Sequence, residues 1–225
     1  MRRQIPVVVW LAVVGLVMAF GSPAFSATIS YSGSVPVTET DWADSVSITQ
    51  FNPALGTLNS VQIDLDAHVE GSAKFEHRGN KPATVLMYLW ANVEVQRPDT
   101  SLLVGASPIQ TTIDSVTKFD GTVDFGGTSG RTHDGLSGNQ SNSTVTSDAA
   151  DLALFIGTGS IVLPVLANAA SGATGSGNML FDFLTNASAD VTVTYDYTVP
   201  EPSALIGLAG MGLVGVGMWV RRRRS

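Results

Sequence analysis

Between residues 27 and 198 apolar and polar residues alternate, and no stretch of helical length keeps apolar residues three and four apart. Val61, Ile63, Leu65, Ala67 and Val69 fall on one face of an extended chain, with Gln62, Asp64, Asp66, His68 and Glu70 on the other. That spacing predicts a strand with one buried and one solvated face. Val191, Val193, Tyr195, Tyr197 and Val199 repeat it against Thr192, Thr194, Asp196 and Thr198. From Val85 to Val95 both faces are apolar, which predicts a strand central in the core. Asn52-Pro53, Arg78-Gly79-Asn80, Arg97-Pro98-Asp99 and Asp120-Gly121 are turn formers that separate the runs. One short helix is expected at Ser147 to Phe155, capped by Ser147 or Asp148, with Leu152, Phe155 and Ile156 turned inward. Gly126 to Ser147 has no period and is expected to be a mobile loop. Together these elements predict an all-β fold, an antiparallel, jelly-roll-like β-sandwich.

Two apolar runs at the ends break this alternation. Ile5 to Phe20 follows Met1-Arg2-Arg3 and precedes the helix breakers Gly21, Ser22 and Pro23, the layout of a secretory signal helix. Ala24 and Ser26 place small residues where a signal peptidase needs them, so cleavage is expected between Ser26 and Ala27. At the other end, seventeen uncharged residues from Ala204 to Val220 precede Arg221, Arg222, Arg223 and Arg224. As a helix this run is about 26 Å long, a minimal membrane span. The arginines stay cytoplasmic by the positive-inside rule, which leaves Pro200 and Glu201 on the exported side. The expected organisation is a signal peptide at 1–26, an exported domain at 27–198 and a sorting tail at 199–225 with its span at 204–220.

Charge sharpens this partition. The 225-residue chain has 12 Lys and Arg against 19 Asp and Glu, a net −7. Residues 27–201 hold only six of the cations with all 19 acids, a balance of −13, which argues against nucleic-acid binding. The absence of cysteine excludes disulfides, thiol chemistry and cysteine-ligated metals.

Val199, Pro200, Glu201 and Pro202 stand immediately before the apolar run. Each proline fixes its own φ and biases the preceding residue toward extended geometry, so a rigid acidic peptide is held above the membrane where a processing enzyme can bind it. Signal peptide, Val-Pro-Glu-Pro, glycine-rich span and terminal arginines together resemble a PEP-CTERM sorting signal of Gram-negative bacteria. The resemblance implies recognition by an exosortase, processing near the Pro-Glu-Pro, and a surface or extracellular-matrix protein associated with exopolysaccharide or biofilm. The domain also resembles the choice-of-anchor E type, in Phe51-Asn52-Pro53-Ala54-Leu55-Gly56-Thr57-Leu58, Phe155-Ile156-Gly157-Thr158-Gly159-Ser160-Ile161, Gly175-Ser176-Gly177-Asn178 and Val191-Thr192-Val193-Thr194-Tyr195. That second resemblance implies an exported β-rich surface domain and brings no catalytic residues.

Candidate chemistry within the domain is sparse. Asp64, Asp66, His68 and Glu70 share a strand face with neighbours about 6 to 7 Å apart. A calcium site needs six to eight oxygens folded around the ion, so a straight row reads as a solvated face. His68, His77 and His133 lack the close pairing of a zinc site, and serine triads, phosphate loops and dinucleotide fingerprints are missing from the chain. Trp42, Trp90, Tyr88 and Tyr31 are read as core aromatics in preference to sugar-stacking platforms. No metal, cofactor or catalytic residue is expected, and the chain is expected not to be an enzyme. A polysaccharide-binding module and a secreted glycosidase or lyase remain the alternatives, since two carboxylates can meet from distant strands.

Overall fold

The computed structural model describes residues 25–199, so the predicted signal helix and the predicted span at 204–220 lie outside the described residues. The elements are β1 (Phe25–Glu39), β2 (Trp42–Thr49), β3 (Thr57–His77), β4 (Ala83–Gln96), β5 (Leu102–Ala106), β6 (Ile109–Val116), β7 (Gly130–Thr146), α1 (Ala149–Phe155), β8 (Ser160–Ala169), β9 (Gly172–Gly175) and β10 (Met179–Val199). One sheet has the order β1-β10-β3-β7 and the other β2-β8-β4-β5, with β6 and β9 also paired to β4. Without β6 and β9, eight strands numbered along the chain pair as 1-8-3-6 and 2-7-4-5, the order of a jelly roll.

The predicted alternation is visible in the burial of β3, β4 and β10. Val61, Ile63, Leu65, Ala67 and Val69 of β3 are buried, as are Val191, Val193 and Tyr195 of β10, and the two strands pair antiparallel from Met179 opposite His77 to Thr198 opposite Thr57. Facing them from the second sheet are Leu89, Ala91, Val93 and Val95 of β4 and Leu163, Val165 and Ala167 of β8, which complete the main core. The outer face of β4 is only half-buried at Leu86, Tyr88 and Trp90. β4 is central in its sheet, but only its inner face lies in the core. A smaller core of Ala73, Phe75, Ala83, Val85, Met87 and Val116 fills the end of the sandwich where β3 turns into β4.

Several expectations need correction. Residues 130–146, read as part of a mobile loop, form β7, which pairs with β3 from Val61 opposite Thr146 to Glu76 opposite Gly130. This is the sheet's edge, and its long side chains are mostly polar on both faces, with Leu136 turned onto the core and Val145 exposed. Backbone pairing creates the strand, so the hydrophobic pattern carries no trace of it. The helix is capped as expected, with Asp148 accepting from the Ala150 N–H at 2.8 Å. Phe155 is fully buried and Leu152 half-buried, but Ile156 is exposed because the helix stops at Phe155 and the chain turns extended. Glu76 and His77, just before the predicted turn at Arg78-Gly79-Asn80, are the buried last residues of β3.

Candidate functional site

Of the sorting residues, Val199 is described, as the half-buried last residue of β10; Pro200, Glu201, Pro202 and Arg221 to Arg224 lie outside the described residues. At the other junction, Ala24 also lies outside, while Ser26 and Ala27 are part of β1. Strands β1 and β10 lie side by side at one end of the sandwich. Ser26 Oγ donates to Asp196 Oδ1 at 2.6 Å, Ser30 and Thr194 hydroxyls lie 2.8 Å apart, and Asn59 Nδ2 donates to Thr198 Oγ1 at 2.9 Å. Beneath them Tyr195 is buried among Tyr31, Phe51 and Phe155, with ring centroids 5.9 to 6.3 Å away. Its hydroxyl donates to the Thr49 carbonyl at 2.8 Å, and burial pushes the phenol pKa up. These contacts hold β10 to the sandwich as far as Thr198.

Residues 198–224 are a PEP-CTERM protein-sorting motif. Such a motif implies export, C-terminal membrane anchoring and processing by an exosortase-type membrane enzyme on the way to the cell surface. The motif therefore begins one residue before β10 ends. No curated protein matches the chain. Among solved structures, a chain of Desmodium yellow mottle tymovirus is similar at 13% identity, covering 81% of this chain and 87% of that one, with a TM-score of 0.25. A chain of the infectious bursal disease virus Gx strain is 14% identical over 78% of this chain and 37% of its own, with a TM-score of 0.16. A chain from the T13 particle of the same virus is 14% identical over 79% of this chain and 41% of its own, with a TM-score of 0.17.

The row on β3 stays a row. Gln62 Nε2 donates to Asp64 at 2.8 Å, Ser141 Oγ donates to Asp66, and His68 lies 2.7 Å from Asn139 Oδ1 and 3.1 Å from Glu70 Oε2. Each group is engaged by a neighbour along or across the sheet, and the shallow depression beside Asp64 and Asp66 brings in only Ser and Asn side chains. His133, expected in a loop, sits on β7 with Nε2 2.7 Å from Asp114 Oδ2. Tyr31 and Trp42 are half-buried against the main core, and Tyr88 and Trp90 are half-buried on the outer face of β4.

A polar knot that the sequence pattern does not announce lies at the His77 end of β3. Glu76 is fully buried although it points away from the core, because the segment between β6 and β7 roofs it. Its Oε1 accepts from Ser129 Oγ at 2.6 Å and its Oε2 from the Phe125 N–H at 2.9 Å. These bonds pair both oxygens of the carboxylate without a cation, so Glu76 ties down the roof. His77, on the inward face, holds the Thr117 carbonyl at 3.0 Å through Nδ1. The only signal in the sequence is a carboxylate and an imidazole continuing the β3 alternation past Phe75.

Proposed function

We propose that this chain is an exported, non-enzymatic surface protein whose β-sandwich serves a structural or adhesive role in an exopolysaccharide-bearing matrix. The observation that carries the reading is the PEP-CTERM motif at residues 198–224, directly abutting a packed domain. Signal peptidase removes residues 1–26, the glycine-rich run and Arg221 to Arg224 hold the chain at the membrane, and an exosortase then engages Val199 to Pro202. Because Thr198 is still bonded to Asn59, cleavage beyond Val199 leaves the sandwich whole. The likeness of the domain to the choice-of-anchor E type supports the same assignment. Mass spectrometry of the termini of the cell-surface form tests it, using the Pro200→Ala/Glu201→Ala double variant beside the natural chain. The variant is expected to retain its full C-terminus; a variant trimmed like the natural chain overturns the exosortase reading.

A further inference from the structure

Five of the six cations between residues 27 and 201 lie on the elements that meet around His77: Lys74, Arg78, Lys81, Lys118 and Arg131. The sixth, Arg97, sits at the far end of β4 and pairs with Asp151. Lys74 is paired with Asp182 at 2.9 Å, and Arg131 donates to the carbonyls of Gly127 and Gly130. Arg78, Lys81 and Lys118 are exposed and, among the described residues, have no carboxylate partner. The nearby acids are turned into their own loop. Glu76 is occupied as described, Asp120 accepts from the Thr122 and Thr128 N–H groups, and Asp124 accepts from the Gly126 N–H. A domain that is strongly acidic overall therefore gathers its cations at one pole.

Between these cations lies a cavity of 180 Å³, lined by His77, Gly79, Asn80, Lys81, Ser176 and Gly177 among others. His77 is only 2% exposed. A carbonyl can only accept, so Nδ1 carries the proton shared with Thr117, and Nε2 presents a lone pair. Among the described residues Nε2 has no hydrogen-bond partner. It faces the two glycines of the cavity wall, where an added Cβ would come within 2.5 Å (Gly79) and 2.8 Å (Gly177) of it. Over Ser176 and Pro82 the cavity adjoins a second depression of 530 Å³ that includes Thr84 and Ser115.

We propose that this pole binds a carboxylate-bearing sugar of an anionic polysaccharide, a ligand hydroxyl donating to His77 Nε2 and the carboxylate resting on Lys81 and Arg78. The cavity is smaller than drug-sized sites and suits one sugar unit, and the adjoining depression receives its neighbour. No aromatic side chain lines either depression, so recognition rests on hydrogen bonds and charge. Repulsion from the acidic remainder directs a polyanion to this pole. The proposal deepens the matrix reading above and rests on it for the source of the ligand.

The test is titration calorimetry of the purified full chain in detergent with oligogalacturonate, a neutral maltooligosaccharide of equal length and dextran sulfate. Oligogalacturonate is expected to bind, the neutral sugar to bind at least about tenfold more weakly, and Arg78→Ala/Lys81→Ala to weaken oligogalacturonate about tenfold with an unchanged melting temperature. The His77 Nε2 nitrogen resonance is expected to move on addition of oligogalacturonate and to stay still with the neutral sugar. No binding of oligogalacturonate, dextran sulfate binding as tightly, or a stationary Nε2 resonance would overturn the site. Such a failure with normal surface delivery leaves the sorting assignment standing; oligogalacturonate binding by a chain that never reaches the surface removes that assignment and leaves the site.

Discussion

Tyr195 Oη and the Thr49 carbonyl oxygen are 2.8 Å apart, and this single hydrogen bond ties β10 of one sheet to β2 of the other. It lies under the strand end that leads into the sorting motif, so the stability of that end is coupled to the integrity of the sandwich.

Removing the hydroxyl with Tyr195→Phe leaves a carbonyl without its partner and is expected to cost about 1–2 kcal/mol, read by denaturant unfolding. The phenol is raised from its usual value of 10.0 by burial. A raised folded-state value means that the contribution is complete below the unfolded value and declines as pH climbs beyond it. Stability should therefore fall above about pH 10, and Tyr195→Phe should flatten that part of the profile. An identical alkaline decline in the variant would show that other groups cause it.

Arg97 grips Asp151 with two bonds, Nε to Oδ1 at 2.8 Å and Nη2 to Oδ2 at 2.9 Å, and Thr146 adds a third at 2.9 Å. The Arg97 hydrogen bond, ahead of the Thr146 bond, holds the Asp151 pKa below the ordinary carboxylate range. A depressed value contributes stability above the unfolded pKa of about 4 and loses it as pH falls through the folded one. Asp151→Asn is expected to cost about 1 kcal/mol at pH 7, given partial solvent screening, and less at pH 2. Urea unfolding at the two pH values checks both.

Glu76→Ala strands the Ser129 hydroxyl and the Phe125 N–H, whose residue already sits at φ 54°. A loss of about 2–4 kcal/mol is expected. Hydrogen exchange should quicken first between Thr117 and Gly130; uniform acceleration across β3 would contradict a local roof.

At Gly71 a methyl group would overlap the Leu184 carbonyl oxygen on the paired strand. Backbone cannot step aside as a side chain can, so Gly71→Ala is expected to lower stability by about 3 kcal/mol or more. Gly135→Ala is the control for space: nothing lies within 4 Å of its added Cβ, and only its φ of +65° opposes the change. It should cost about 1 kcal/mol. Melting curves of the two variants, ranked the other way, would refute the close approach.

The sequence by itself determined the strands whose side chains divide between core and solvent, because a period of two is written wherever one face is buried: residues 61–70 of β3, 85–95 of β4 and 191–199 of β10 are legible in it. It also determined the sorting motif, since the match at residues 198–224 lies in one continuous stretch of the chain. The tertiary structure alone decided what rests on pairing and on roofing. Edge strand β7 exists through its backbone bonds to β3, which leave no hydrophobic pattern, and Ile156 turns outward because α1 ends one residue earlier. The pole around His77 joins residues from β3, the β3–β4 turn, the β6–β7 segment and the turn before β10, up to about 100 positions apart in the chain. Local propensity cannot bring such residues together; closure of the two sheets does.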